Sequence, residues 1–266
     1  MIQKMRLGFI GGGNMAYAIA KGVIASELVA PFDITVNDTN EEALLKFKES
    51  GTKTTCDLKE LLDCDYIILA VKPQILPSVL ENIKNDYKDK VFVSIAAGVS
   101  VEKIKSLLPF NAKVIRIMPN TPALIGEGMS VLAKATAPVK DDEFKNVEEI
   151  FKSIGKTEIL DENMINAVTS VSGSSPAYVF IMIEAMADAA VRDGIPRDIA
   201  YRLAAQSVLG SAKMVLETSK HPAELKDMVC SPKGTTIEAV AELEKAGFRN
   251  AIISAMKKCT DKANNM

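Results

Sequence analysis

The side chains that most often carry enzyme chemistry are scarce in this chain. Its 266 residues include one histidine, His221, and no tryptophan. A metal site with two or three histidines therefore cannot be built within one chain, and a Ser-His-Asp triad would have to use His221. We interpret His221, which precedes a proline, as a helix cap or interface residue. We expect the chemistry to come from backbone groups, hydroxyls, lysines, carboxylates or a cofactor, with no metal.

A glycine-rich segment near the start has the spacing of a dinucleotide-binding turn. Gly11, Gly13 and Ala16 form a G-x-G-x-x-A pattern between a short apolar run and a helical pattern. The first glycine permits a tight turn, the second admits a pyrophosphate, and the alanine lets helix and strand pack closely. The helix start, at Asn14 and Met15, offers N–H groups and a partial positive charge to phosphate. We predict a dinucleotide site here, with a simple tight turn as the alternative.

Asp38 follows this turn at the distance where such folds place an acid for the ribose. It ends the second strand pattern, about 20 residues beyond Ala16. An acid there accepts hydrogen bonds from a ribose 2′-OH and repels a 2′-phosphate. No arginine follows closely, and the next cation is Lys46. Taken alone, Asp38 favours NADH slightly over NADPH; a turn or helix cap is the alternative role.

Further candidates follow later strand patterns. Their strands would end at one edge of a parallel sheet, where open sheets bind ligands. The candidate cofactor residues are Ala70, Val71, Lys72, Pro73, Ala97, Gly98 and Asn120. Pro73 is expected to begin the next helix. Lys72 is either a cleft residue or an ordinary surface lysine, and Asn120 either contacts the cofactor or serves a turn forced by two prolines.

A hydroxyl-rich loop near the end of the chain is the second candidate site. Ser231, Gly234, Thr235 and Thr236 lie where a helix is expected to begin. Backbone N–H groups and hydroxyls at a helix N-terminus form a small anion site that suits a carboxylate. An ordinary helix cap is the alternative.

The elements that must position these residues change character near residue 161. Before it, short apolar runs alternate with helical patterns, which predicts a parallel sheet covered on both faces. After it, no convincing strand follows, and helical patterns fill the rest of the chain. We predict an α/β Rossmann domain, residues 1–161, followed by an all-α domain, residues 162–266.

One helical pattern in the all-α part is apolar nearly all round. Between residues 177 and 191 only Glu184 and Asp188 are strongly polar. A helix of this kind is buried on every side, and a small helical domain cannot easily surround it alone. We interpret it as a subunit interface, with a central core helix as the alternative. The two acids are interpreted as hydrogen-bond acceptors rather than an acid pair.

Composition excludes several classes of partner. Lys and Arg number 32 against 34 Asp and Glu, so the formal net charge of −2 predicts neither nucleic acid nor an anionic membrane as partner. We expect no transmembrane helix and no signal peptide. The four cysteines form no C-x-x-C pair, which indicates reduced thiols in a cytoplasmic protein.

Together these segments resemble the pyrroline-5-carboxylate reductase family over nearly the whole chain. The resemblance lies in the glycine turn and in segments 70–73, 94–98, 118–122, 172–178 and 221–236, the last being the family's most specific signature. It implies an NAD(P)H-dependent oxidoreductase that converts 1-pyrroline-5-carboxylate to L-proline, the last step of proline biosynthesis. It also implies a helical domain that intertwines into a homodimer, and often a larger ring of dimers.

The resemblance further implies roles for single residues. Ser231 and the backbone at Thr235 and Thr236 would hold the substrate carboxylate. The Thr236 hydroxyl would orient the imine nitrogen or relay a proton to it. The nicotinamide of NADPH or NADH would lie near Lys72 and Asn120. A β-hydroxyacid dehydrogenase is the rival enzyme, but segment 172–176 lacks the lysine that its chemistry uses; a nucleotide sensor is the non-enzyme rival.

Three positions depart from the family pattern. Lys233 and Ser175 stand where the family usually has glycine, and many NADPH-preferring members lack an acid at the position of Asp38. If position 233 needs a positive φ, a lysine is strained there. Alternatively, Lys233 adds a cation near an anionic substrate.

Overall fold

Contacts within the chain separate a sheet-containing unit from a helical one. The computed structural model describes residues 5–86, 89–109 and 111–265. The first unit comprises the described residues of Met1–Ser174 together with the chain end from Cys259, and the second comprises Ser175–Lys258. Contacts thus keep residues 162–174 with the sheet, whereas the predicted domain boundary at residue 161 follows the change in sequence pattern and stays a prediction.

The first unit is built on an eight-stranded sheet in the order β3-β2-β1-β4-β5-β6-β7-β8. The strands β1 to β8 are Leu7–Ile10, Ile34–Asn37, Lys53–Thr55, Tyr66–Leu69, Val91–Ser94, Lys113–Met118, Gly128–Ala133 and Gly155–Leu160. All neighbours pair in parallel except β6 and β7, which are antiparallel. The strand order reverses between β1 and β4, and ligands of open parallel sheets bind at the carboxyl ends of the strands beside such a reversal.

Helices cover both faces of this sheet, which explains the continuous apolar runs of its central strands. The helices α1 to α6 are Asn14–Ala25, Glu41–Glu49, Leu76–Ile83, Val101–Lys105, Asp141–Lys152 and Ile165–Val168. One core cluster contains Phe9, Phe47 and Phe151, a second contains Ile10 and Leu80, and a smaller third contains Val131 and Ile165. The predicted α/β class with a parallel sheet is confirmed.

One local prediction in this unit is wrong, and one strand was not predicted. Strand β3 was not predicted, because its three residues include no apolar run and only Thr55 is buried. Pro73 does not begin the next helix: it lies in a turn in which the Ile75 N–H donates to the Lys72 carbonyl at 2.9 Å. Helix α3 begins at Leu76 and has Pro77 in its first turn. A proline is tolerated there because backbone N–H groups of the first turn have no acceptor within the helix, so no hydrogen bond is lost.

The second unit is helical throughout its described elements. Helices α7 to α11 are Ser175–Arg192, Arg197–Thr218, Pro222–Val229, Thr235–Lys245 and Phe248–Asn264, and the last continues into the first unit. Helix α9 was not predicted, since eight residues between two loops carry little periodicity. Ser175 opens α7 without a positive φ, so its departure from glycine causes no backbone strain. No helix among the described residues is long and apolar enough to cross a membrane.

Helix α7, the apolar helix singled out from the sequence, is not a core helix within one chain. Ala187 is its only residue classed as buried, while the Phe180 and Ile181 side chains are 62% and 66% exposed. The core alternative is therefore wrong for the single chain, and the apolar surface matches the interface interpretation. Asp188 pairs with Arg197 at the start of α8, as expected for a hydrogen-bond acceptor.

Candidate functional site

The first glycine of the predicted nucleotide turn occupies a position that no other residue fits. Gly11 has φ 105°, and a Cβ there would lie 2.8 Å from the Ala70 carbonyl oxygen. Its N–H donates to the Asn37 carbonyl at 2.8 Å. The turn after β1 is thereby pressed against the ends of β2 and β4, at the reversal of the sheet. The structure thus brings Gly11 and Ala70 together.

The start of α1 is open to a ligand. Gly13 is the N-cap, no side chain caps the helix, and no acid lies in its first turn. A Cβ added to Gly13 would meet no atom within 4 Å, whereas Ala16 is fully buried against the sheet. Asn14 and Met15 form the first turn. Free N–H groups, a positive helix end and open space together fit the pyrophosphate of a dinucleotide.

Asp38 faces the glycine turn from the end of β2. One carboxylate oxygen accepts the Gly12 N–H at 2.7 Å, and the other accepts the Asn40 N–H at 2.9 Å. Asn40 in turn caps α2, because its side chain accepts the Glu42 N–H. Asp38 thus makes turn-capping hydrogen bonds, and each oxygen keeps a lone pair for a further donor, so its role at the ribose stays a prediction. Gly12 was not predicted as a site residue, although it is the middle of three consecutive glycines.

Some of the candidate residues after β4 and β5 line one cavity. Pro73, Ala97 and Gly98 border a space of about 430 Å³ that Lys103 and Lys262 also line. Gly98 has φ 75°, so the turn after β5 favours glycine. Val71 is half-buried against the core, and the Lys72 side chain is exposed.

The Asn120 side chain links two backbone segments through hydrogen bonds. Its amide nitrogen donates to the Ser172 carbonyl at 3.0 Å, and its amide oxygen accepts the Met129 N–H at 2.9 Å. Ser172 belongs to a short π-helix, Thr169–Gly173, of the kind found frequently at functional sites. Asn120 thus positions this π-helix beside the carboxyl end of β6, and one amide hydrogen remains for a ligand.

In the second unit, the hydroxyl-rich loop forms a β-turn at the start of α10. The Gly234 N–H donates to the Ser231 carbonyl at 3.0 Å, which leaves Pro232 and Lys233 at the centre. Lys233 has φ 59°, and a proline followed by a positive φ is the type II pattern that prefers glycine at the second position. Lys233 is therefore strained, as predicted for a residue standing where the family has glycine.

The end of this turn leaves a helix N-terminus without a protein partner. Gly234 is the N-cap of α10, and no side chain caps the helix. A Cβ at Gly234 would lie 2.4 Å from the Ser231 Oγ, so only glycine lets the serine hydroxyl stay over the turn. Thr235 and Thr236 follow as the first two helical residues. The loop therefore presents uncapped N–H groups at a helix start within a short segment that carries three hydroxyl residues, a combination suited to a carboxylate.

The single histidine has a structural role. His221 is the N-cap of α9, and its Nδ1 accepts the Ala223 N–H at 3.2 Å. The prediction that His221 caps a helix is confirmed. Among the described residues, no cluster of His, Cys, Asp and Glu could hold a metal ion.

Comparison with known proteins identifies both parts of the chain. Residues 162–266 match the family model for pyrroline-5-carboxylate reductase dimerisation, and residues 6–98 match that for coenzyme F420-dependent NADP oxidoreductases. The Escherichia coli pyrroline-5-carboxylate reductase is 48% identical over 264 residues, covering 98% of each chain.

Two solved structures superpose over nearly the full length. The Coxiella burnetii pyrroline-5-carboxylate reductase has a TM-score of 0.90 at 34% identity and covers 99% of this chain and 98% of its own. The Plasmodium falciparum pyrroline carboxylate reductase, solved with NADP bound, has a TM-score of 0.91 at 31% identity and covers 98% and 97%. With a Rossmann unit, a helical dimerisation domain and this identity along the whole chain, the protein belongs to the pyrroline-5-carboxylate reductase family.

Proposed function

We propose that this chain reduces 1-pyrroline-5-carboxylate to L-proline with NADPH or NADH, the final step of proline biosynthesis, and that it does so without an acid–base histidine. The observation that carries the proposal is the uncapped start of α10, where Thr235 and Thr236 are the first helical residues and the Ser231 hydroxyl lies over Gly234. The only histidine is engaged as a helix cap elsewhere. The chain thus has a site suited to a carboxylate, and the proposed reaction does not require a side chain that acts as a strong base.

The cofactor site follows from the open start of α1. When bound, the reduced nicotinamide supplies a hydride to the carbon of the substrate C=N bond. Gly11, Gly13 and the first-turn N–H groups of α1 hold the pyrophosphate, and Asp38 faces the adenosine ribose. In the same proposal, Lys72 and the free amide hydrogen of Asn120 lie towards the nicotinamide end.

The substrate needs positioning more than activation. A cyclic imine is basic enough to be protonated, or nearly so, near neutral pH, and the carbon of the iminium is already electrophilic. The Ser231 hydroxyl and the N–H groups of Thr235 and Thr236 bind the carboxylate, with Gly234 making room for the serine. The Thr236 hydroxyl then orients the ring nitrogen or relays its proton. Holding two reactants in line supplies several kcal/mol of barrier reduction.

We infer the assembly of the protein from the exposed apolar surface of the helical unit. The exposed apolar side chains of α7, such as Phe180, require a covering partner, and the matched dimerisation model supports a homodimer. We propose that dimers associate further into a ring. The four cysteines are free of disulfides, which supports a cytoplasmic location.

A coupled absorbance and product assay tests the function. Purified protein is mixed with 1-pyrroline-5-carboxylate and either NADPH or NADH. We expect loss of the reduced-nicotinamide absorbance together with an equal amount of L-proline, identified by mass spectrometry. No oxidation of either cofactor would reject the reductase assignment for this chain, and light scattering on the same sample gives the number of subunits.

A further inference from the structure

Lys46 places a cation where the fold otherwise disfavours one. It lies on α2, and its Nζ is 3.4 Å from the Asn14 Oδ1 and 5.2 Å from the centre of the Tyr17 ring. Asn14 is the first residue of α1 and Tyr17 lies one turn further on. Since a helix N-terminus carries a partial positive charge, an ammonium beside it is repelled unless an anion joins them.

No carboxylate among the described residues pairs with Lys46. Within the described parts of the chain, no acid forms an ion pair with its Nζ, although Glu42 and Glu49 stand on the same helix. The nearby Asp38 carboxylate instead accepts N–H groups from Gly12 and Asn40. The amine is nevertheless held in place, because it also lies 5.5 Å from the Phe47 ring. Lys46 is therefore a cation that contacts Asn14 and two aromatic rings but has no acidic partner in the described parts of the chain.

The position of the Lys46 ammonium indicates which phosphate of the cofactor it binds. In this fold the pyrophosphate lies on the first turn of α1, and the adenosine ribose lies beside the acid that ends β2. Lys46 reaches from α2, which follows β2, to Asn14 at the start of α1, and Asp38 bonds Gly12 two residues before Asn14, so both charged groups contact the same glycine turn and helix start. The pyrophosphate already has the N–H groups of α1, whereas segment 38–40 offers the ribose no cation.

We infer that Lys46 binds the 2′-phosphate of NADPH and offsets the repulsion that Asp38 exerts on it. The inference rests on the proposed cofactor site. It predicts that the chain accepts the phosphorylated cofactor although an acid lies at the proposed ribose position. It also assigns a role to Lys46, the first cation that follows Asp38 in the sequence.

Binding of cofactor fragments tests this inference without catalysis. Adenosine 2′,5′-bisphosphate carries the 2′-phosphate but no pyrophosphate, and ADP carries the pyrophosphate but no 2′-phosphate. Isothermal titration of both fragments would compare the wild type with Lys46→Met and with the control Lys48→Met, an exposed lysine on the same helix. We expect Lys46→Met to weaken the bisphosphate by about tenfold, the loss of one charge-assisted hydrogen bond, and to leave ADP unchanged.

The possible outcomes separate the alternatives. Equal weakening of both fragments would assign Lys46 to the pyrophosphate and overturn the inference, as would no weakening of either. Lys46→Arg keeps the charge and should retain the bisphosphate affinity, and matched melting temperatures exclude misfolding. A wild type that binds the bisphosphate but does not reduce the imine would refute the proposed function and leave this inference standing.

Discussion

The Asp38 carboxylate accepts the backbone N–H of Gly12 at 2.7 Å, so the acid at the end of β2 holds the nucleotide turn itself. Its second oxygen accepts the Asn40 N–H at 2.9 Å. The residue that we propose to face the ribose is therefore also part of the scaffold that shapes the proposed pyrophosphate site. We expect the negative charge of Asp38 to affect cofactor preference and its hydrogen bonds to affect stability, and two substitutions distinguish these effects.

Asp38→Asn removes the charge and keeps one carbonyl oxygen as an acceptor, so we expect the KM for NADPH to fall and that for NADH to rise. Asp38→Ala removes both acceptors and leaves two N–H groups without a partner, which costs about 1–3 kcal/mol where such groups are buried. The alanine variant should therefore melt lower than the asparagine variant. Steady-state kinetics with each cofactor and thermal unfolding check both statements. An unchanged NADPH preference in Asp38→Asn would remove the repulsion argument.

Lys233 provides a test of backbone strain. Its φ of 59° costs a non-glycine residue about 1–2 kcal/mol. Glycine avoids this strain but loses more conformational entropy on folding, and that loss cancels only part of the gain. We expect Lys233→Gly to raise the free energy of unfolding relative to Lys233→Ala, which loses the charge but keeps the strain. Urea unfolding of the three proteins makes the comparison. Equal stability of the glycine and alanine variants would show that position 233 relaxes without cost.

The sequence predicted the parts of the fold and site that depend on local pattern. The G-x-G-x-x-A spacing located Gly11 and the start of α1, and the apolar runs located the central strands. The helix Pro222–Val229 and strand β3 were missed, because short elements carry too few residues for a period to emerge. Lys46 was noted only as the cation that follows Asp38, because its contact with Asn14 depends on the packing of α2 beside α1.

The role of Asn120 shows a second limit of the sequence. Its position after β6 predicted a polar contact at the sheet edge, but not which partner it would choose. The structure shows both ends of its amide bound to backbone, at Ser172 and Met129. Ser172 is far away in sequence, and a hydrogen bond between distant segments has no local pattern. Tertiary contacts of this kind decide whether a candidate residue touches ligand or positions others.

Thr236 is the residue whose hydroxyl we place at the imine nitrogen. Gly234, not Thr236, is the N-cap of α10, so Thr236→Ala removes the hydroxyl without removing a helix cap. We expect kcat to fall by at least about tenfold, since one hydrogen bond to a charged group is worth about 1.5–3 kcal/mol. Thr236→Ser keeps the hydroxyl and should retain most of the activity. Turnover and substrate KM at saturating cofactor measure this, and unchanged turnover in the alanine variant would show that the assigned role is wrong.

Cys64 is expected to resist modification and to make stability depend on alkaline pH. The side chain is 3% exposed, and burial raises the pKa of its thiol from 9.0 to about 11. Because the thiolate is the nucleophile, iodoacetamide at pH near 8 should label the exposed Cys56 well before Cys64, as peptide mass spectrometry would show. Between pH 9 and about 11 the unfolded thiol has lost its proton while the folded one keeps it, so the free energy of unfolding falls as the pH rises. Cys64→Ala is less stable at neutral pH but should lose this part of the pH dependence. If denaturant unfolding of wild type and variant shows the same slope with pH over this range, the buried thiol does not contribute to it.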